Sequence, residues 1–224
     1  ADQIKFTVSA RGKGAGTSIE QFLKATYKIP LQKLDSIFGF AGRCTQYGGR
    51  KYTEPQITES DLVWMYANNV GFRIPLTYHY ATREEFEGYG DFLDHYHRDG
   101  NSIIITNDEL AKWIRKDCPN YAIEASVIKN INSLEKIEAA FELYDTVILP
   151  MTSNDDEELL QAIDNKKNIT LFANAGCAYT CPSKICYPSI SKANKCGDND
   201  LFRCSQKLKE RNTIGMYDFD LDYL

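Results

Sequence analysis

The chain has 224 residues, enough for a sizeable buried core, and its apolar (43%) and charged (25%) contents are ordinary for a globular protein. A net charge of −5 and a pI near 5.3 exclude a basic nucleic-acid footprint over the whole surface and leave only local contacts with nucleic acid open. No apolar run approaches the roughly 18 residues of a membrane span and no apolar leader opens the chain, so we expect a cytoplasmic protein with no membrane partner.

Short β-rich runs alternate with amphipathic helical stretches along the chain. Capping residues at Ser18, Thr58, Thr82, Asn107, Ser133 and Ser153 mark the helix starts. Seven βα units require parallel crossovers, and seven strands are close to the eight of a TIM barrel. We therefore predict an α/β fold, an incomplete or distorted TIM-like (β/α) barrel with about seven parallel strands, in preference to an open doubly wound sheet. The strand-like runs are Ile4–Ala10, Ser36–Ala41, Phe72–Tyr80, Ser102–Asn107, Tyr121–Lys129, Thr146–Thr152 and Asn168–Ala175.

The cysteines are concentrated near the C-terminus. Five of the seven fall between positions 177 and 204, directly after the seventh strand-like run. We predict one domain over residues 1–224 that contains a cysteine-rich, C-terminal cluster-binding segment at 177–204. Three or four converging thiolates indicate an iron–sulfur centre, four cysteines would also suit zinc, and disulfides would need an oxidising compartment. The five are Cys177, Cys181, Cys186, Cys196 and Cys204.

Polar side chains recur where the predicted strands end, which is the edge that carries the active site in parallel barrels. Arg11, Lys13 and Arg43 follow the first two strands and are candidates for binding an anion, with Arg50 and Lys51 as further basic residues nearby. The glycine-rich run at 11–16 matches no nucleotide-binding motif, and a solvated loop remains an equally good interpretation.

Candidate catalytic groups follow the third and seventh strands. His79 and Tyr80 could move protons, and Asn174 precedes the cysteine segment. Strand alternation could equally point His79 outward. No Gly-x-Ser-x-Gly or His-Glu-x-x-His motif is present, so no hydrolase motif is found.

Three further residues have both a structural and a functional interpretation. Cys44 follows the second strand and could be a ligand or a reactive thiol, whereas Cys118, before a proline at a helix end, is expected to be structural. Glu124 is a carboxylate within an apolar strand and could point between strand and solvent.

The segment from Ile169 to Pro182, with its Cys177-x3-Cys181 spacing, resembles the iron–sulfur segment of proteins related to the collagenase-like "U-type" peptidase family. The segments 73–77, 97–108 and 119–126 resemble that group's third, fourth and fifth βα units. The resemblance implies a TIM-like barrel with a [4Fe–4S] cluster, whose better understood relatives carry out oxygen-independent hydroxylation of a ubiquinone precursor or a tRNA uridine. It implies Cys177, Cys181, Cys186 and Cys204 as ligands, with Cys196 competing with Cys186 for one place.

The leading hypothesis is therefore a [4Fe–4S] enzyme with hydroxylase-like or related redox or lyase chemistry on a small or nucleotide-derived anionic substrate, served by an electron donor. Arg11, Lys13 and Arg43 would bind the anion, and His79 or Tyr80 would move protons. A second hypothesis is a non-enzymatic barrel, stapled by iron–sulfur or zinc, that binds a protein or nucleic acid. A peptidase is the third.

Overall fold

The computed structural model of the chain describes residues 4–175, 185–204 and 215–216, except for the side chains at 174–175 and 215–216. Within these residues seven parallel strands form one sheet in which spatial order equals sequence order. The sheet is curled into a half-barrel, so the predicted incomplete TIM-like barrel is confirmed. The strands are β1 (Phe6–Ser9), β2 (Leu34–Phe38), β3 (Gly71–Leu76), β4 (Ser102–Ile105), β5 (Ala122–Ala125), β6 (Thr146–Ile148) and β7 (Ile169–Thr170).

Helices connect the strands as the βα pattern requires. Predicted capping boxes are present at Ser18, Thr58 and Thr82, where the cap side chain accepts the N3 amide and the N3 side chain accepts the cap amide in return. The helices are α1 (Ile19–Thr26), α2 (Glu59–Ala67), α3 (Arg83–Gly88), α4 (Gly90–His95), α5 (Asp108–Asp117), α6 (Leu134–Phe141), α7 (Glu157–Ala162) and α8 (Cys186–Cys196). A two-stranded antiparallel pair, β8 (Asn174–Ala175) and β9 (Gly215–Met216), follows the main sheet.

The two faces of the curled sheet differ in polarity because side chains alternate along each strand. The face toward the helices is apolar and forms the core, with Ile37, Phe72, Ile74, Ile103 and Ile123 fully buried. Register pairs such as Thr7 with Ser36 and Arg73 with Ser102 place polar residues together on the opposite face. Arg73 in β3 contacts Glu124 in β5 and Thr7 in β1, each two strands away. These contacts show that this face is the concave side of the curled sheet. Its polar members are Thr7, Ser9, Ser36, Arg73, Ser102 and Glu124.

Helix α8 lies against the loop that follows β2. The Asn194 side chain accepts a hydrogen bond from the Tyr52 amide (2.8 Å) and donates to the carbonyls of Tyr47 (3.1 Å) and Arg50 (2.9 Å). The helix ends at Gly197, which adopts the left-handed conformation (φ 68°) of a helix C-cap. Helix α8, which belongs to the described part of the cysteine-rich segment, is thereby held against the loop that follows β2.

Candidate functional site

The glycine-rich loop after β1 is pinned by a buried ion pair. The Lys13 ammonium lies 2.8 Å from Asp61 of α2, and both side chains are almost fully buried. Burial opposes ionisation of Asp61, but Lys13 and the amides of Thr58 and Ile19 outweigh it and hold the pKa of this carboxyl below its ordinary value. Lys13 therefore fixes the loop to α2, while the neighbouring Arg11 is exposed.

Arg50, from the loop after β2, faces the same loop. Its guanidinium lies over the ring of Phe40, 4.7 Å from the centroid, and donates to Gln56 Oε1 at 2.7 Å. Burial and then the positive charge of Arg11 lower the pKa of Arg50 to about 10. Two guanidinium groups thus repel each other across a small space.

That space is a cleft of about 450 Å³ between the loops after β1 and β2 and the start of α8. It is cationic on one side, and no carboxylate lies within ion-pair distance of either guanidinium in the part of the chain that the structure describes. Glu54 also borders the cleft but is exposed. An anion in the cleft would relieve the repulsion between the two guanidinium groups. The lining includes Arg11, Arg50, Lys51, Cys186, Tyr187 and Phe202.

The three described cysteines of the C-terminal segment do not lie together: Cys204 is close to Cys186, whereas Cys196 lies at the other end of α8. The Ser189 hydroxyl, one turn after Cys186, donates to the Cys186 carbonyl (2.8 Å) and accepts the Arg203 amide (3.0 Å). Cys204 is the next residue after Arg203, so its backbone lies close to the first turn of α8. Cys196 ends α8 ten residues later, about 15 Å along the helix axis. A compact cluster that binds Cys186 therefore cannot also bind Cys196. Cys177 and Cys181 lie outside the described residues.

The remaining predicted site residues are spread along the carboxyl edge. His79 Nδ1 lies 3.2 Å from the hydroxyl of buried Ser191 of α8, and burial lowers its pKa. Tyr80 is half-exposed beneath Lys192. For Asn174 the structure gives the backbone position in β8.

Arg43 is exposed at the far end of α8 from the cleft. A side chain at Gly197 would lie 2.8 Å from Arg43 Nη2, which places the guanidinium at the helix C-terminus. The structure thus brings Arg11 together with Arg50 and Lys51 rather than with Arg43. The basic composition of residues 11–51 was the sequence signal for Arg50; its position in the cleft depends on how the loop after β2 folds back.

Inside the half-barrel, Arg73 and Glu124 form a bidentate ion pair with N–O distances of 2.7 and 2.8 Å. Ser102 donates to the same carboxylate at 2.5 Å, and Arg73 donates to Thr7 at 2.8 Å. The carboxyl group is buried, yet Arg73 keeps its pKa below the ordinary value against the effect of burial. Glu124 therefore points into the concave interior and not toward solvent, which sequence alternation left undecided.

A cysteine–histidine–aspartate group lies on α4, α5 and the loops that follow them, toward the amino ends of the strands. Single ligand atoms of Asp94, His97 and Cys118 lie within 4.8 Å of one another. His97 Nε2 accepts the Asn120 amide at 2.9 Å, so the proton is on Nδ1 and neither ring nitrogen offers a free lone pair. Burial raises the pKa of the Cys118 thiol. In this conformation the three groups are packing partners.

Cys44 is also a buried thiol. It is 1% exposed, and burial raises its pKa to about 12. A protonated thiol is neither a nucleophile nor a metal ligand.

Comparison with known proteins finds a likeness of fold. A solved structure titled "The Structure of the U32 Peptidase Mk0906" superposes with a TM-score of 0.63 at 13% identity, over 94% of this chain and 86% of that chain. No family model and no curated protein matches the sequence. The expected resemblance to the collagenase-like family is thus confirmed for the fold, and the comparisons do not extend it to the iron–sulfur relatives.

The described residues contain no helix long and apolar enough to cross a membrane.

Proposed function

We propose that the chain is an iron–sulfur enzyme that binds a small anionic substrate in the cleft beside α8. The observation that carries this proposal is the pair Arg11 and Arg50, which lack a carboxylate partner among the described residues and face the cleft that Cys186 borders. Paired guanidinium groups are the preferred protein ligands for phosphate and carboxylate. Lys51 adds a third cation at the rim.

Cys177, Cys181, Cys186 and Cys204 would hold a [4Fe–4S] cluster. The contact of Arg203 with Ser189 supports this set, since it directs Cys204 toward Cys186 and away from Cys196. When bound, such a cluster supplies redox or Lewis-acid chemistry. Zinc is the alternative occupant of the same thiolates.

The protein's own residues would orient the substrate and move protons. Arg11 and Arg50 would hold the anionic group. His79 is a candidate base because its lowered pKa favours the neutral imidazole, and Tyr80 and Asn174 are further candidates. We propose oxygen-independent hydroxylation or related redox or lyase chemistry, with an external electron donor, as the reaction class.

The anion site is tested by titrating inorganic phosphate into the protein in a calorimeter. Arg50→Met is expected to weaken binding at least tenfold, because a charge-assisted hydrogen bond contributes about 1.5–3 kcal/mol. Lys24→Met is the matched control, since Lys24 is exposed on α1 and already paired with Glu20. Equal phosphate affinity in the Arg50 variant would contradict the proposal.

The cluster is tested by iron, sulfide and zinc analysis of protein purified without oxygen. We expect about four irons and four sulfides per chain. Cys186→Ala and Cys204→Ala are expected to lose iron, whereas Cys196→Ala keeps it because of its distance along α8. Zinc without sulfide would instead favour a structural zinc site, and with it the hypothesis of a non-enzymatic barrel that binds a protein or nucleic acid.

A peptidase is a second candidate because the neighbour in fold carries that name. Within the described residues the Cys118, His97 and Asp94 group would be its nucleophile, base and orienting acid. The buried thiol with a raised pKa opposes this role, and so does His97, because its Nε2 lone pair already accepts the Asn120 amide. Cleavage of an unfolded protein that survives Cys118→Ala would rule the group out, and cleavage lost in a Cys118→Ala variant with the wild-type melting temperature would support it.

A further inference from the structure

Asn194, in the last turn of α8, is bonded at three points to the loop at 47–52. Its side chain accepts the Tyr52 amide and donates to the carbonyls of Tyr47 and Arg50, at distances between 2.8 and 3.1 Å. The side chain is 8% exposed, so these bonds are largely shielded from water. A buried amide with three partners in one loop fixes the path of that loop. Asn194 therefore sets the position of the backbone that carries Arg50 into the cleft.

A second contact joins the same loop to the chain that follows α8. The Lys51 ammonium lies 5.2 Å from the centroid of the Phe202 ring, and both residues border the cleft. The next residue, Arg203, donates its amide to the Ser189 hydroxyl in the first turn of α8. The segment at 186–204 therefore contacts the loop both through its helix and through the residues after the helix.

Helix α8 has few apolar contacts of its own. Only Ile190 and Ala193 are apolar among its five buried residues, and neither belongs to the continuous hydrophobic core. The ion pair of Lys195 with Glu85 of α3 (2.9 Å) is partly exposed, and such pairs contribute little to stability. An 11-residue helix is marginal in water unless an apolar face is packed. We therefore expect the position of α8 to depend on a further constraint.

Two of the proposed metal ligands, Cys186 and Cys204, lie at the two ends of the segment that contains α8. The other two, Cys177 and Cys181, precede it in the chain. A metal centre held by these thiolates would tie both ends of the segment to one point, and its binding free energy would add to that of folding. Occupation of the metal site would therefore restrain α8 and, with it, Asn194.

We infer that Asn194 is a positioning residue of the anion site, and that through it metal binding at Cys186 and Cys204 is coupled to anion binding at Arg50. The inference rests on the proposed function. Coupling between two sites is reciprocal, so each ligand strengthens the binding of the other by the same factor. The protein would then bind its anionic substrate tightly only when the metal centre is in place.

The test measures phosphate affinity by calorimetry in protein purified without oxygen, and again after a chelator has removed the metal. Binding is expected to be at least tenfold weaker without the metal, within the range of about 5–150-fold that is typical of coupled sites. Loss of thiolate charge near the cleft would by itself strengthen the binding of an anion, so a weaker affinity shows that the loop has moved. By reciprocity, saturating phosphate is expected to raise the chelator concentration that removes half the metal.

Asn194→Leu removes the three hydrogen bonds to the loop. The variant is expected to keep its metal, to bind phosphate at least tenfold more weakly, and to lose the effect of phosphate on metal removal. That last effect distinguishes a positioning residue from one that only stabilises the fold. Asn199→Leu, the same substitution at an exposed position after α8, is the matched control and is expected to behave as wild type.

Equal phosphate affinity of the wild-type protein with and without its metal would overturn the coupling, while leaving the anion site and the metal centre intact. This comparison needs no variant, so it decides the question even where Asn194→Leu does not fold. Failure of the wild-type protein to bind phosphate would overturn the anion site, and absence of metal would overturn the metal centre. Either result would overturn the coupling as well.

Discussion

Arg73→Met removes one partner of the buried ion pair inside the half-barrel and is expected to lower the free energy of unfolding strongly. Methionine keeps much of the volume of arginine but removes two charge-assisted hydrogen bonds to Glu124 and one hydrogen bond to Thr7. Glu124 would keep the hydrogen bond from Ser102 and remain in a site where it is 6% exposed. The variant would therefore contain a buried carboxylate whose charge is no longer compensated.

Breaking a buried pair by removing one partner costs about 3–5 kcal/mol. Two lost charge-assisted bonds at about 1.5–3 kcal/mol each give a similar figure. That loss is a large fraction of the ~5–15 kcal/mol that stabilises a typical domain.

The pH dependence of this loss has a definite sign. In the wild type Arg73 lowers the folded-state pKa of Glu124, so the pair's contribution is present above the unfolded value near ~4.3 and is lost as the pH falls through the folded value. In Arg73→Met, burial without the arginine raises the folded-state pKa of Glu124. Between pH 7 and pH 5 the folded variant then binds a proton at Glu124 that the unfolded chain does not bind, which stabilises the folded state. The difference in the free energy of unfolding between wild type and variant is therefore smaller at pH 5 than at pH 7.

Urea unfolding at pH 7 and pH 5 measures both effects. The double variant Arg73→Met/Glu124→Gln is the control, because a neutral amide replaces the uncompensated charge, and its loss at pH 7 is expected to be smaller than that of Arg73→Met. A loss below about 1 kcal/mol at pH 7, or an equal loss at the two pH values, would refute the reasoning.

Two titratable groups near the carboxyl edge, the buried Lys13 and the half-buried His79, give two more predictions. Lys13→Met leaves Asp61 buried without its partner, so it is expected to destabilise the protein by about 3–5 kcal/mol, measured by urea unfolding. The loop at 11–16 is expected to lose its contact with α2, which faster amide exchange would show. An unchanged urea midpoint would show that the ion pair contributes nothing to stability. The pKa of His79 is expected to lie below its ordinary value near ~6.5 because burial disfavours the charged imidazole, and an NMR pH series measures it. The free energy of unfolding therefore decreases as the pH falls below that ordinary value. A titration midpoint above it would contradict the partly buried contact with Ser191.

The strands and most helix starts were predictable because local chemistry decides them. The predicted caps at Asn107 and Ser133 accept amide hydrogen bonds from the first turns of α5 and α6. Ser153 was expected to begin the last helix of the barrel, but Pro150 introduces a 3-10 turn over 151–155, and Asp156 caps α7 instead.

The strands are shorter than their β-rich runs predict. The run to Tyr80 continues the composition of β3, but pairing ends at Leu76 because the chain turns there toward α3. The run at 168–175 divides into β7, which pairs with β6, and β8, which pairs with β9. Composition marks where a strand can form, whereas the neighbouring strand decides where it stops.

The site depends on contacts that local patterns do not encode. Helix α8 contains Pro188, which fits because it lies in the first turn, where an amide has no partner within the helix. Its position depends on Asn194 contacts with Tyr47, Arg50 and Tyr52, more than 140 residues earlier. Glu124 is likewise bound by Arg73, 51 residues earlier, so no spacing in the sequence reveals this pair.

Spatial order equal to sequence order has a consequence for how the protein is made. Each strand of the main sheet pairs with the strand synthesised just before it, so the sheet can grow in step with translation, starting from its N-terminal strands. The α8 contacts with the loop after β2 form only after residues 186–196 have been synthesised, which is later than all seven strands of the main sheet. The cleft, which α8 borders, consequently takes its final shape after the sheet has folded.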